Sequence, residues 1–335
     1  METALPYIWA IVILFAIMMY VVMDGFDLGI GILYPFFQDK EDRDLLMNSV
    51  APVWDGNETW LVLGGAGLLA AFPLAYSIIL SACYLPLIFM LMGLIFRGVA
   101  FEFRFKAHEH ERHFWDKAFI GGSIAATFFQ GVTLGAYIQG FDVVERAYIG
   151  GPLDWLTPFS IFTGISLIVG YALLGSTWLI MKTEDHVQAE AYRITKRLVW
   201  LLLLAIVAVS LWTPLMDAEI ARRWFTLPNL LWLSPVPLLV ALFTFLLLRS
   251  VTQQAQAAPF LYTLALIFLC YAGFGVSLWP HIIPPDITLQ AASSPPQSQA
   301  FTLVGTLIIL PVILGYTLWA YRVFHGKVRH GEHYH

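Results

Sequence analysis

Nine long apolar segments separated by shorter polar ones constrain this chain more than any other feature. They run over residues 7–34, 52–72, 76–101, 118–141, 158–181, 198–215, 230–248, 259–279 and 300–323. A helix needs about 20 apolar residues to cross a hydrocarbon core. The pattern therefore predicts an all-α fold: a polytopic integral membrane protein of about nine transmembrane helices packed as bundles. The segment 52–72 is the weakest of the nine, because Asp55 and Glu58 interrupt its start. Composition points the same way. Of 335 residues, 59% are hydrophobic and only 12% charged, where soluble domains carry about 25% charged residues.

The basic residues set a direction. With the N-terminus outside, the inner loops and the C-terminal tail hold fifteen of the eighteen lysines and arginines, Arg97 and Arg104 among them. The outer loops hold Arg146, Arg222 and Arg223. Positive charge collects on the cytoplasmic side of membrane proteins, so the C-terminus is expected in the cytoplasm and the number of spans is odd. The N-terminus lacks a cationic leader and a small-residue cleavage site, and reads as the first span. Residues 1–325 are expected to form a single membrane domain, followed by a polar, His-rich, mobile cytoplasmic tail at 326–335. No repeat or long linker divides the chain. Trp9, Trp200, Trp279 and Trp319 read as interfacial anchors. A net charge of −5 with no strongly basic region excludes nucleic acid as a partner, and Cys83 and Cys270 are too few for a disulfide framework or a thiolate cluster.

Histidine placement bears on cofactors. None of the nine histidines falls in the middle of an apolar segment, and a buried haem usually needs an axial imidazole, so no haem is expected in this chain. His108, His110 and His113, and the tail histidines, read as solvated loop residues and not as a metal site. Acids inside membrane segments are costly and mark ion or proton routes. Asp24 and Asp27 stand three apart in Asp24-Gly25-Phe26-Asp27, on one helix face, with Gly25, Gly29 and Gly31 allowing close packing. Asp55 and Glu58 share a face in Trp54-Asp55-Gly56-Asn57-Glu58, and Glu102 follows Arg97 at the end of the third span. The alternation of spans brings all of these to the cytoplasmic half of the membrane. Asp24 and Asp55, flanked by apolar residues, are the functional candidates. Asp27, Glu58 and Glu102 divide evenly between function and helix capping or pairing with Arg97.

These same stretches carry a resemblance. Asp24-Gly25-Phe26-Asp27-Leu28-Gly29, the run from Asn48 to Trp60, and Phe96-Arg97-Gly98-Val99-Ala100-Phe101-Glu102-Phe103-Arg104 resemble the second subunit of cytochrome bd-type quinol oxidases, in order and in spacing. The likeness extends over nearly the whole chain, by hydropathy more than by motif in the last third. It implies a bacterial inner-membrane subunit paired with a haem-bearing subunit I, which carries two b-type haems and one d-type haem and oxidises quinol. The complex reduces oxygen to water with protons drawn from the cytoplasm. The resemblance also implies that Asp24, Asp55 and Glu102 line the proton route, with Asp27, Asn57, Glu58 and Arg97 as supporting polar groups. Glu102 departs from the aspartate of other members, and Glu58 stands where some have glutamine. Membrane lipid and the quinone pool are further partners. A structural quinone in this chain, a small accessory subunit and membership of the cyanide-insensitive branch stay open. Two other functions fit the residues alone: a proton-coupled transporter, which would often show repeats, and a purely structural partner whose acids only pin helices.

Overall fold

The computed structural model describes residues 4–329 and Gly331. The chain is helical throughout: α1 (Leu5–Leu33), α2 (Lys40–Asn48), α3 (Trp54–Ala71), α4 (Pro73–Lys106), α5 (Glu109–Gln139), α6 (Pro158–Lys182), α7 (Asp185–Met216), α8 (Ala218–Phe225), α9 (Asn229–Leu233), α10 (Pro235–Thr252), α11 (Ala258–Leu278), α12 (Leu289–Ala292) and α13 (Pro296–Val323). Two antiparallel hairpins interrupt it, β1 (Val143–Val144) with β2 (Ala147–Tyr148), and β3 (His281–Ile283) with β4 (Ile287–Thr288). The hairpins and the short helices α8 and α12 lie in connections between the apolar segments, whereas α9 forms the start of the segment 230–248.

Local chemistry sets several helix ends. Proline in the first turn opens α1, α4, α6, α10, α11 and α13, where its missing N–H costs nothing. Thr157 caps α6 in a reciprocal box with Ser160. Within α4, Pro86 removes one rung of the ladder and Cys83 takes a non-helical conformation, which is the kink a mid-helix proline imposes.

The centre of the bundle is α1 with α4, α5 and α6, held at van der Waals distance by small residues. Gly29 of α1 crosses α6 so closely that a Cβ there would collide with the Tyr171 carbonyl oxygen and come within 2.9 Å of the Gly175 nitrogen. Helices that share a lipid solvent associate through such close packing, since apolar burial gives little drive there. The outer helices are looser: in the most apolar stretch of α6, 61% of residues are buried, whereas in that of α13 none is.

Among the described residues, eight helices are long and apolar enough to cross a membrane by length and composition. The segment 52–72 is the one outside that set. It does form a helix, α3, whose 18 residues extend about 27 Å, and its polar first turn lowers its hydropathy. Three other expectations change. Trp9 is 2% exposed and its indole donates to the Gln299 carbonyl at 3.1 Å, so it ties α1 to α13 and is no lipid anchor. His110 and His113 lie in the first turns of α5, which begins nine residues before the segment read from hydropathy. The start of the tail is docked: Val328 N–H donates to the Lys182 carbonyl and the Lys327 ammonium to the Thr183 carbonyl, each at 2.8 Å. The tail histidines His330, His333 and His335 lie outside the described residues.

Candidate functional site

Asp24 and Asp27 project from α1 with no solvent exposure at all. Helical spacing of three places them on one face, and the helices opposite that face supply their partners. From α4, the Arg97 guanidinium donates through Nη2 to Asp24 Oδ1, with both side chains fully buried. The same Nη2 stands 3.4 Å from Glu58 Oε2 on α3, whose side chain is 30% exposed. Arg97 is thus buried within α4 and is no loop charge. Its guanidinium carbon lies 5.5 Å from the Trp54 ring and 6.0 Å from the Phe101 ring, and those rings stack at 5.0 Å. Aromatic faces of this kind lower the cost of a desolvated cation.

Asp27 is held from the other side. The Asn57 amide on α3 donates to Asp27 Oδ2 at 2.8 Å and to the Met23 carbonyl at 3.4 Å. The Tyr321 hydroxyl on α13 donates to Asn57 Oδ1 at 2.9 Å. Tyr20, one turn before Asp24 on α1, is 3% exposed and accepts from Gln130 Nε2 at 2.6 Å, and the Tyr171 hydroxyl donates to Gln130 Oε1 at 3.0 Å. Polar side chains from α1, α3, α4, α5, α6 and α13 therefore meet in the interior of the bundle.

Asp24 and Glu58 share one guanidinium, and Asp27 stands beside them on the Asn57 amide. Burying unbalanced charge is expensive, and a proton held among the acids is the cheapest way to balance it. Asp24 Oδ2, Asp27 Oδ1 and Arg97 Nε and Nη1 are buried without a hydrogen-bond partner in the protein, so the cluster keeps acceptor and donor capacity for water or for a moving proton.

Not every sequence candidate belongs to this cluster. Asp24, Asp27, Asn57, Glu58 and Arg97 are brought together. Asp55 is exposed in the first turn of α3. Glu102 is exposed on α4 and pairs with Lys106 at 3.3 Å. In sequence these two acids directly follow the stacked rings of Trp54 and Phe101. Tyr20, Gln130, Tyr171 and Tyr321 join the cluster without a signal in the sequence.

A second polar cluster closes the basic end of the bundle. Asp116 on α5 accepts from Tyr34 at 3.0 Å, from Arg43 at 3.1 Å and from Arg104 at 2.5 Å, and Arg104 also donates to Asp44 at 2.5 Å. Among the described residues no imidazole joins either cluster. His108, His110, His113, His186 and His325 lie at helix ends and His281 on β3, so among the described residues none stands inside the bundle to ligate a haem, and no group of three or more potential metal ligands forms.

The profile of the family described as cytochrome bd terminal oxidase subunit II matches residues 5–324. The chain is 29% identical to the cytochrome bd-I ubiquinol oxidase subunit 2 of Escherichia coli strain K12, over 97% of this chain and 95% of that protein. It is 28% identical to the cytochrome bd ubiquinol oxidase subunit 2 of Bacillus subtilis, over 97% of each. Among solved structures, the bd oxidase from Geobacillus thermodenitrificans contains a chain of the same fold, with a TM-score of 0.77 and 16% identity, covering 96% of this chain and 98% of that one.

Proposed function

This chain belongs to the family of cytochrome bd terminal oxidase subunit II, and from that premise we propose that it is the haem-free subunit of a quinol oxidase and lines the route by which protons enter from the cytoplasm. Membership makes it part of an oxidoreductase complex of the bacterial inner membrane, working with subunit I. Two b-type haems and one d-type haem are assigned to that partner. When bound there they carry electrons from quinol and reduce oxygen to water. The positions of the described histidines support this division of labour.

The observation that carries the proton route is the pairing of Asp24 and Glu58 with the buried Arg97, beside the buried Asp27 held by Asn57. Glu58 is its one partly exposed acid and serves as the entrance. Asp55 and Glu102, exposed on this chain, collect protons at the α3–α4 edge. Inside, Arg97 holds Asp24 in place, and a proton taken at Glu58 passes to the free oxygens of Asp24 and Asp27, both able to accept it. Apolar walls keep this transfer from leaking to lipid.

The test uses the whole complex carrying Asp24→Asn or Asp27→Asn. An amide is isosteric with the carboxyl but cannot accept and release a proton as part of a relay. Quinol-driven oxygen uptake is expected to slow in each while the haem spectrum stays complete. Normal uptake in both contradicts the route. A second reading, in which the acids only pin helices, draws on the full burial of the Arg97–Asp24 pair, and it requires haem and activity to be lost together.

A further inference from the structure

We propose that Tyr321, held by a clasp between Lys182 and the C-terminal segment, is a positioning residue that sets the Asn57 amide and thereby the hydrogen bonding of Asp27. The inference rests on the proposed role of Asp27 in proton transfer.

An asparagine amide has one accepting and one donating end, and its orientation follows from its partners. Here Oδ1 accepts from the Tyr321 hydroxyl, which leaves Nδ2 to donate to Asp27 Oδ2 and the Met23 carbonyl. Turned over, Asn57 would set an accepting oxygen against the Met23 carbonyl, and the Tyr321 hydroxyl would have to stop donating and accept from the amide N–H instead. Asn57 is 1% exposed, so solvent cannot relieve the opposed oxygens. The Met23 carbonyl therefore selects the orientation in which Asp27 receives a donor, and the Tyr321 hydroxyl, as the donor to Oδ1, holds the amide in that place.

Tyr321 needs an anchor, because the apolar stretch of α13 buries none of its residues. The anchor is Lys182 at the end of α6. Its ammonium donates to the Phe324 carbonyl at 2.7 Å and the Gly326 carbonyl at 3.0 Å, and it sits 5.2 Å from the Trp178 ring. A cation on the last carbonyls of a helix is the favourable sign for the helix dipole. Val328, 5% exposed, returns the contact by donating to the Lys182 carbonyl at 2.8 Å. Trp178 packs edge-on against Tyr321 at 6.3 Å. Lys182, Trp178, Tyr321 and Val328 share a cavity of about 10 Å³ with Asn48 and Ser49, room for a single water among polar partners. The stretch 324–328 is thus tied, through one lysine and one tyrosine, to an acid in the middle of the bundle.

Tyr321→Phe removes one hydroxyl and keeps the ring. Losing a single neutral hydrogen bond changes an equilibrium by roughly two- to tenfold, and oxygen uptake by the complex should fall within that range with haem content unchanged. The discriminating readout is infrared difference spectroscopy of the complex, with the Asp27 carboxyl stretch assigned from Asp27→Asn. In Tyr321→Phe the Asn57 oxygen loses its donor and the amide its tether, which alters the hydrogen bond given to Asp27, so that band should shift. Lys182→Met should move the same band in the same direction by loosening the clasp, and it carries the test if Tyr321→Phe assembles poorly. An unchanged Asp27 band with unchanged uptake in both variants, while Asp27→Asn slows turnover, overturns the inference and leaves the proton route standing. Normal turnover in Asp27→Asn removes its premise.

Discussion

Arg97 on α4 and Asp24 on α1 form an ion pair from which solvent is wholly excluded. Removing one partner from such a pair strands a buried charge, whereas removing both for apolar groups is often close to neutral.

The pair should therefore be strongly non-additive. Arg97→Met alone is expected to destabilise the complex by about 3–5 kcal/mol, while Arg97→Met combined with Asp24→Leu recovers most of that loss. Thermal melting of the four members of the cycle reads the coupling. Additive single effects would mean that the two groups do not depend on each other.

Helix crossing makes a prediction of its own. A Cβ at Gly29 would collide with the Tyr171 carbonyl, whereas one at Gly56 meets nothing within 4 Å. Gly29→Ala should cost about 1–3 kcal/mol through forced separation of α1 and α6. Gly56→Ala should be neutral or stabilising by up to about 1 kcal/mol, since alanine is the better helix former. Melting temperatures of the two variants give the comparison, and equal effects would contradict the close approach.

At the basic end, Asp116 accepts from Tyr34, Arg43 and Arg104. Asp116→Asn keeps the shape and removes the charge that two arginines face, so a loss of about 2–4 kcal/mol is expected. Hydrogen exchange should localise the loosening to α2 and the adjoining ends of α4 and α5. Exchange that is unchanged in those elements would show that the cluster contributes little.

Surface acids should behave differently from buried ones. Glu102 is 48% exposed in its side chain and pairs with Lys106, a kind of contact worth about 0–1 kcal/mol. Glu102→Gln and Asp55→Asn should leave the melting temperature in place and slow oxygen uptake less than Asp24→Asn does. A larger effect from either would put the critical step at the edge of the chain and not in its interior.

Much of this site was legible in the sequence, and the reasons for the misses are physical. Asp24 and Asp27 stand out because an acid in an apolar run is expensive, and three-residue spacing puts them on one face. Asp55 illustrates the limit. In α3 the buried residues are Asn57, Trp60, Gly64, Gly67 and Ala71, a stripe that turns toward α1. Asp55 precedes Asn57 by two residues, about 200° around a helix, so it points away, and the amide is the group that reaches Asp27. The stripe itself was there to be read from the small and aromatic residues at helical spacing. Arg97 looked like a loop charge because hydropathy places a span end within a few residues only, and α4 runs on to Lys106. Tyr20, Gln130, Tyr171 and Tyr321 gave no local signal: a tyrosine in an apolar segment looks like packing, and their bonds join residues 41 to 264 positions apart. The helical fold followed from segment length, whereas the docked Lys327–Val328 stretch depends on contacts with the distant backbone of Lys182 and Thr183.

The most direct test of the account is proton uptake itself, followed with a pH indicator in the medium during a single turnover of the fully reduced complex with oxygen. The account predicts that Asp24→Asn and Asp27→Asn slow uptake while full haem content is kept. Uptake at the unaltered rate in both variants would contradict it.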